Sequence, residues 1–325
     1  MQYLYEELII PQAVSDACAS SAMQRLKGID MNCGMNYTSF PLFCGKPAYT
    51  RYEHSVGVSL LIYRFTKDLK QSLAGLFHDI ATPAFSHVVD FMSGDHMRQE
   101  MTEESTGQII RSDAVIAGVL THCGLSFQDV DNYHRFPIAD NDSPKLSCDR
   151  LEYTLGNAVN YGFEKPSFVM DVINDLTIIK NESGEEELAF RSPSAALRFA
   201  DTALACGRVY SGDENRFCME YLARLLRKCI QTGSLSRQEL LKDEAHVISR
   251  ILSSPYAKEW EIFRRFNAIV PADESDGLNL DAKRRYIDPL VISGQRASAI
   301  SRAFREKAEA FQNESYDRWL KGICE

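Results

Sequence analysis

The residues best suited to carry chemistry lie between residues 73 and 92. His78 and Asp79 are adjacent at the end of an apolar helix face, and His87 and Asp90 follow one helical turn apart. Burying four ionisable groups in so apolar a segment costs free energy unless something binds them. Imidazole and carboxylate together suit a divalent cation of intermediate softness. A polar helix end with a hydrogen-bonded histidine also fits this segment, so a metal site needs partners elsewhere in the chain.

Two further helices would have to position such partners. Residues 49–67 repeat apolar side chains at helical spacing, with His54 on this helix and Arg51 one turn before it. A guanidinium beside an imidazole on a pocket wall would be a natural phosphate clamp. In residues 144–162, Asp149, Tyr153 and Asn157 recur every fourth residue and make a polar stripe that could line a pocket.

The connections between these helices also carry signals. One helix is expected to end just after Asp79, and a second to begin at Thr82-Pro83, because an N-cap followed by proline is typical of a helix start. We further expect a short helix over residues 17–29, a loop over 30–46, and a helical run from residue 105 that ends at His122, just before Gly124. Two β-rich runs around residues 181–184 predict a small hairpin. Residues 193–325 return to helical patterns, and the tail 297–320 indicates a charged, exposed or partner-facing helix.

Composition narrows the class of protein. The 325 residues are 45% hydrophobic and 25% charged, which is typical of a soluble globular protein. The nine cysteines include no CxxC pair and fit reduced thiols in a cytoplasm better than a disulfide framework or a zinc ribbon. A net charge of −9 without a basic block argues against non-specific nucleic-acid binding. Since no apolar run could span a bilayer and the first residues lack a signal-peptide pattern, we expect a cytoplasmic protein with no membrane partner.

The order His54, then His78-Asp79, then Asp149 resembles the HD superfamily of metal-dependent phosphohydrolases. The segments TRYEHSVGV, FHDIATPAFSH and CDRLEYTLGNAVNYG look similar to its deoxynucleoside triphosphate triphosphohydrolase (dGTPase-like) branch, as do the run QRL near residue 25 and the hairpin. The resemblance is good from about residue 20 to 165 and looser to about residue 250. We therefore expect a mostly α fold, with an HD-domain helical core over residues 1–165. A β-hairpin and a further helical region over residues 166–325 would pack on it.

The resemblance also implies a set of roles in the site. It implies one divalent metal ion, with Mn, Mg, Fe, Ni and Zn all compatible, held by His54, His78, Asp79 and Asp149. Arg51, His87 and Asp90 would be catalytic. The substrate would be bound by Arg51, Arg150, Tyr153 and Asn157. The implied reaction is hydrolysis of a (deoxy)nucleoside triphosphate to nucleoside and intact triphosphate.

Four positions depart from the pattern of this branch. Thr82 and Thr102 stand where it usually has histidines. Asn157 stands where the branch has the aspartate that holds the sugar 3′-hydroxyl, and Met31 aligns with a base-contacting glutamine. Three alternatives therefore stay open: a nucleotide phosphomonoesterase, a cyclic-nucleotide phosphodiesterase of the same superfamily, and a non-catalytic sensor that binds metal and nucleotide. Assembly into a homo-oligomer is compatible with all of them.

Overall fold

The computed structural model describes residues 2–93 and 105–324, and this part of the chain is mostly α-helical, as predicted. Its α-helices are α1 (Gln12–Cys18), α2 (Ser21–Arg25), α3 (Arg51–Thr66), α4 (Leu69–Phe77), α5 (Val88–Ser93), α6 (Thr106–Ser112), α7 (Ala114–His122), α8 (Cys148–Asn160), α9 (Ser167–Asp175), α10 (Pro193–Tyr210), α11 (Asp213–Gln231), α12 (Glu244–Leu252), α13 (Ala257–Arg265), α14 (Ala297–Ile300) and α15 (Arg302–Gln312). Its strands are β1 (Leu176–Lys180), β2 (Glu186–Phe190), β3 (Ala268–Pro271), β4 (Leu290–Val291) and β5 (Leu320–Ile323). The departure at Thr102 lies outside the described residues.

Helix α3 is the central element, because it is buried along most of its length and packs against both α4 and α8. It begins with a capping box in which Glu53 accepts hydrogen bonds from the backbone and hydroxyl of Thr50. The cap fixes where the helix starts, and Arg51 is its first residue. The predicted helix over residues 49–67 is therefore confirmed, with its polar N-terminal end held in a defined place.

Two predicted helices are each divided in the structure. The expected helix over residues 17–29 is wrong as one unit, because α1 ends at Cys18 and the Ser20 hydroxyl caps α2 at the amide of Met23. The run after residue 105 is divided at Asp113, whose carboxylate caps α7. That helix does end at His122, as predicted, and the backbone φ of Gly124 is 66°.

The predicted hairpin is present, but it belongs to a larger sheet. β1 and β2 pair antiparallel with Leu176 opposite Phe190, and β4 joins β2 in parallel from near the end of the chain. The first half of the expected β-run is helical instead, as the end of α9. A second sheet pairs β3 with β5.

The C-terminal tail is not the single helix that its charge pattern predicted. Helix α14 ends at Ile300, Ser301 caps α15, and the chain then runs into β5. Phe304 and Phe311 bury the apolar face of α15 within this chain. The tail therefore packs on its own protein.

Apolar side chains from both halves of the sequence share common cores. One cluster joins α3, α4 and α8 to α9, β2 and the start of α10, and a second joins α5 to α11, α12 and α13. A hydrogen bond from Asn157 to the Tyr210 hydroxyl, 2.9 Å long, also crosses residue 165. The division into two domains at that residue stays a prediction. Among the described residues, no helix combines the length and the apolar character needed to cross a membrane.

Candidate metal centre and its cleft

Three of the four predicted metal donors meet at one point. His54 Nε2 lies 3.1 Å from His78 Nε2 and 3.1 Å from Asp149 Oδ1, and His78 Nε2 lies 3.7 Å from the same carboxylate oxygen. Ligands at about 2.1 Å from a cation and at right angles to one another are about 3.0 Å apart. The spacing therefore fits three neighbouring ligands of one divalent cation. The donor set of two imidazoles and a carboxylate suits such an ion.

Hydrogen bonds at the far side of each ring aim both imidazoles at this point. His78 Nδ1 donates to the Gly75 carbonyl at 2.7 Å, since a carbonyl can only accept. His54 Nδ1 lies 2.5 Å from a carboxylate oxygen of Glu152, which is buried in the core. In its neutral form each ring therefore carries its lone pair on Nε2, the nitrogen that faces the meeting point. This arrangement satisfies the ordinary requirement for metal-binding histidines.

Backbone packing makes the Glu152 contact feasible. Gly57 lies on α3 one turn after His54, and a Cβ at that position would approach Glu152 Oε1 to 2.6 Å. Any larger residue there would push the carboxylate away. Tyr49 also donates its hydroxyl to Glu152, at 2.5 Å. The carboxylate that orients His54 is thus itself held in place.

Asp79 stands beside the donor group and is shared with an arginine. Its Oδ2 lies 3.6 Å from His78 Nε2 and 3.8 Å from His54 Nε2. The same oxygen accepts a hydrogen bond from Arg51 at 2.8 Å. Burial alone would raise the pKa of Asp79, but Arg51 and the two imidazoles hold it below its usual range. Asp79 is therefore an anionic neighbour of the centre, and its role as a fourth ligand stays a prediction.

The expectation that a helix begins at Thr82-Pro83 is wrong. Helix α5 starts at Val88, and the Thr82 hydroxyl donates to Asp79 Oδ1 at 3.0 Å instead of capping a helix. Phe85 and Ser86 have positive φ angles of 62° and 50°, which a helix start cannot accommodate. Arg51 Nε donates to the Ser86 hydroxyl at 3.1 Å, so this bent segment is tied to α3.

His87 and Asp90 form a pair at the end of this segment, as their spacing predicted. His87 Nδ1 lies 3.0 Å from Asp90 Oδ2, and the other carboxylate oxygen of Asp90 is buried without a hydrogen-bond partner among the described residues. Burial, with Arg51 nearby, lowers the pKa of His87 although Asp90 raises it. The imidazole is therefore neutral near neutral pH, and His87 lines the cleft beside the donor group.

The electrostatics of the centre favour positive charge. Burial alone would lower the pKa of His54, but Glu152 and Asp149 raise it to about 10. Burial alone would raise the pKa of Asp149, but His54 and His78 lower it to about 2. Asp149 also lies in the first turn of α8, where the helix dipole favours a carboxylate. A divalent cation would be stabilised by the same negative potential that here stabilises a proton on His54.

The donors lie on the wall of a cleft with a volume of about 580 Å³, within the usual range for small-molecule sites. All the predicted substrate-binding residues, Arg51, Arg150, Tyr153 and Asn157, line it. Arg150 also makes contacts within the protein: it donates to the carbonyls of Lys145 and Asn141 and forms an ion pair with Asp140. Asn157 Oδ1 is buried with no hydrogen-bond partner in the described part of the chain.

Several residues of the centre and of its cleft were missed from the sequence. Glu152 lies three residues after Asp149 in the same helix. A carboxylate on the core-facing side of that helix could have indicated a partner for one of the histidines. His134, which gave no signal, lies 2.7 Å from Asp140 on the cleft wall. The run KRR at residues 283–285 was also overlooked, although three consecutive cations in an acidic protein are unusual.

Comparisons with known proteins agree with this geometry. Residues 51–136 match the family model described as HD domain, a segment that contains His54, His78 and Asp79. The chain is 26% identical over 330 residues to the uncharacterized protein YdhJ of Bacillus subtilis, covering 98% of this chain and 96% of that protein. It is 28% identical over 303 residues to the metal-dependent phosphohydrolase cns2 of Cordyceps militaris, covering 88% of this chain and 82% of that protein.

Residues 51–136 thus carry an HD domain, and the matches support a metal-dependent phosphohydrolase of the HD type. These matches support the superfamily that the resemblance implied, and they bear out the class of enzyme. The matches do not single out the dGTPase-like branch or a nucleotide substrate.

Proposed function

We propose that the protein hydrolyses nucleotides, and that its substrate is a (deoxy)nucleoside triphosphate cleaved to nucleoside and triphosphate. The observation that carries the proposal is the position of the donor group formed by His54, His78 and Asp149. It lies on the wall of a cleft that also presents cations and aromatic rings. Cations suit phosphate groups, and aromatic rings suit a base or a sugar.

The electrophilic part of the reaction would come from a cation held by the donor group. His54, His78 and Asp149 would hold the cation, with Asp79 beside them. The chemistry available from a divalent cation here is Lewis-acid activation of a phosphoryl oxygen and of water. Arg51 lies next to this point through its bond to Asp79, so its guanidinium would offset negative charge that develops on phosphorus.

The pair formed by His87 and Asp90 would handle the proton. Asp90 fixes the proton of the imidazole on Nδ1, which leaves Nε2 as the basic nitrogen. Because burial lowers the pKa of His87, its neutral ring can accept a proton from water and return it to the leaving oxygen. His87 could therefore act both as the base toward water and as the acid toward the leaving oxygen.

The far part of the cleft would seat the nucleoside. Tyr153 and Tyr210 meet edge to face with ring centroids 6.0 Å apart, and Asn157 donates to the Tyr210 hydroxyl. The buried Oδ1 of Asn157 can accept a hydrogen bond from a sugar or base donor. A neutral amide in place of a carboxylate binds such a donor without adding charge beside the phosphates.

Chromatography of the products from dGTP, GTP, dGMP and cyclic AMP, each with Mn²⁺ or Mg²⁺, tests the proposal. Nucleoside and intact triphosphate are expected from a triphosphate. Orthophosphate from dGMP alone would instead indicate a phosphomonoesterase, and opening of cyclic AMP a phosphodiesterase. An Asp149→Asn preparation purified in parallel excludes contaminating phosphatases. No product from a metal-loaded protein would overturn catalysis and favour the sensor.

A further inference from the structure

A basic segment from the C-terminal half of the chain forms part of the cleft wall. This segment, residues 282–286, has the sequence AKRRY and lies far beyond the HD domain match. All five of its residues line the same cavity as His54 and Asp149. The segment therefore adds three consecutive cations to a site whose metal donors come from the first half of the chain.

Contacts with the protein fix the middle of this segment. Arg284 donates to the Glu314 carbonyl at 2.5 Å and lies over the Tyr316 ring, with its guanidinium carbon 4.4 Å from the ring centroid. Arg216 donates to the carbonyl of Leu280 just before the segment and is almost fully buried. The segment is thus held by two arginines against the body of the protein.

Close backbone packing fixes its other end. The carbonyl oxygen of Arg285 lies against Gly207 of α10, and a Cβ at that position would overlap it. The backbone of the segment is held at this point, while the Arg285 side chain lines the cleft. Its charge lowers the pKa of both His87 and Tyr153, two residues that line the same cleft.

The charge of the cleft is opposite to that of the whole protein. The chain carries a formal charge of −9. Among the described residues, the cavity is lined by six arginine and lysine side chains and four aspartates, and two of those aspartates are Asp79 and Asp149 at the metal centre. A cation bound there would make the site more positive still. Such a cleft attracts a ligand with several negative charges.

We propose that Lys283 and Arg285 bind the phosphate chain of the substrate, which makes a linear polyphosphate, rather than a single phosphate, the chemical class that this wall recognises. The proposal rests on the proposed nucleotide hydrolysis and extends it to residues outside the HD domain. Arg284 anchors the segment, while Lys283 and Arg285 would contact the phosphate chain from the cleft wall.

Calorimetric titration of the purified full chain, without added metal, with inorganic tripolyphosphate and with orthophosphate tests this directly. The wild type is expected to bind tripolyphosphate more tightly than orthophosphate. Combining Lys283→Gln with Arg285→Gln should weaken tripolyphosphate binding roughly 10- to 100-fold, since each charged hydrogen bond is lost. Orthophosphate binding should change little. Arg302→Gln, whose exposed side chain lies outside the cleft, is the matched control and should bind like the wild type.

Equal tripolyphosphate binding by the double variant and the wild type would overturn the proposal, as would no preference of the wild type for tripolyphosphate. Arg285→Lys should retain most of the affinity because it retains the charge. Melting curves exclude misfolding, and the single change at exposed Lys283 remains informative if the double variant does not fold. Since this titration needs no turnover, it separates a failure of this inference from a failure of nucleotide hydrolysis. If nucleotides are hydrolysed, the double variant should also raise KM for a triphosphate and not for a monophosphate.

Discussion

Glu152 shows how one side chain prepares the centre without being one of its donors. Its carboxylate binds His54 Nδ1 and the Tyr49 hydroxyl, and so determines which nitrogen of His54 faces the cleft. Partners of this kind fix ring orientation and increase the basicity of a metal-binding histidine. Glu152 is therefore a positioning residue for His54.

Replacing Glu152 by Gln should weaken metal binding by roughly 10- to 100-fold, as is usual for the partner of a metal-binding histidine. Glutamine keeps the shape and one acceptor oxygen but removes the charge beside His54. Titration of the apoprotein with Mn²⁺ measures the change, and Glu306→Gln on the surface of α15 is the matched control. Unchanged Mn²⁺ affinity in Glu152→Gln would remove this residue from the centre.

Arg51 contacts both the anionic neighbour of the centre and the bent segment that leads to His87. Arg51→Ala should lower kcat/KM by about 2–4 kcal/mol of transition-state stabilisation. Arg51→Lys should stay well below the wild type, because the single ammonium of lysine cannot reproduce the planar fork of the guanidinium. Steady-state kinetics of the three proteins checks this, and wild-type kcat/KM in the alanine variant would exclude Arg51 from the mechanism.

At the scale of elements, Glu244 ties three parts of the fold together. It is the first residue of α12, and it accepts hydrogen bonds from the amides of Asp30 and Phe85 and from the Tyr37 hydroxyl. Burial, together with nearby Asp30, raises the pKa of Glu244 to about 8. The early loop, the bent segment before α5 and helix α12 thus meet at a buried carboxyl group that prefers to be neutral.

This raised pKa predicts a pH dependence of stability. The folded state binds the proton of Glu244 more tightly than the unfolded state, so the stabilisation is fully present below about pH 4.5 and is lost as the pH rises through about 8. The associated slope is at most about 1.4 kcal/mol per pH unit. Glu244→Gln, which is neutral throughout, should flatten the dependence of the free energy of unfolding on pH in this range. Parallel slopes for both proteins in urea titrations would contradict the assignment.

Helices with a regular apolar periodicity were predicted well from the sequence. Predictions failed where contacts between residues distant in sequence determine the path of the backbone. Helices α3 and α8 were expected because their apolar spacing is regular and their caps are local. Thr82-Pro83 also carries a local start signal, yet the Thr82 hydroxyl is used by Asp79 and the backbone is bent at Phe85 and Ser86. That bend is held by Arg51, which is distant in sequence, so no local pattern could reveal it.

At the scale of the whole molecule, the metal donors could be predicted from local sequence signals, whereas several residues of the cleft wall could not. His54, His78, Asp79 and Asp149 could be predicted as metal donors because residue type and order carry the signal, and the structure brings His54, His78 and Asp149 together. The basic segment was missed, because its place in the cleft depends on packing of residues 280–316 against α10 and α11. Tyr210, the last residue of α10, reaches the cleft where α10 packs against α8. The sequence therefore predicted the donor group of the centre better than the walls of the cleft around it.

The most direct test of the account is to locate a metal in crystals of the full chain grown with Mn²⁺. An anomalous difference peak is expected at about 2.0–2.3 Å from His54 Nε2, His78 Nε2 and Asp149 Oδ1, the range for such ligands. The distance from that peak to Asp79 would show whether it completes the ligand set or remains with Arg51. No peak between these three atoms at saturating Mn²⁺, or a peak held by other residues, would contradict the metal centre on which the proposed hydrolysis depends.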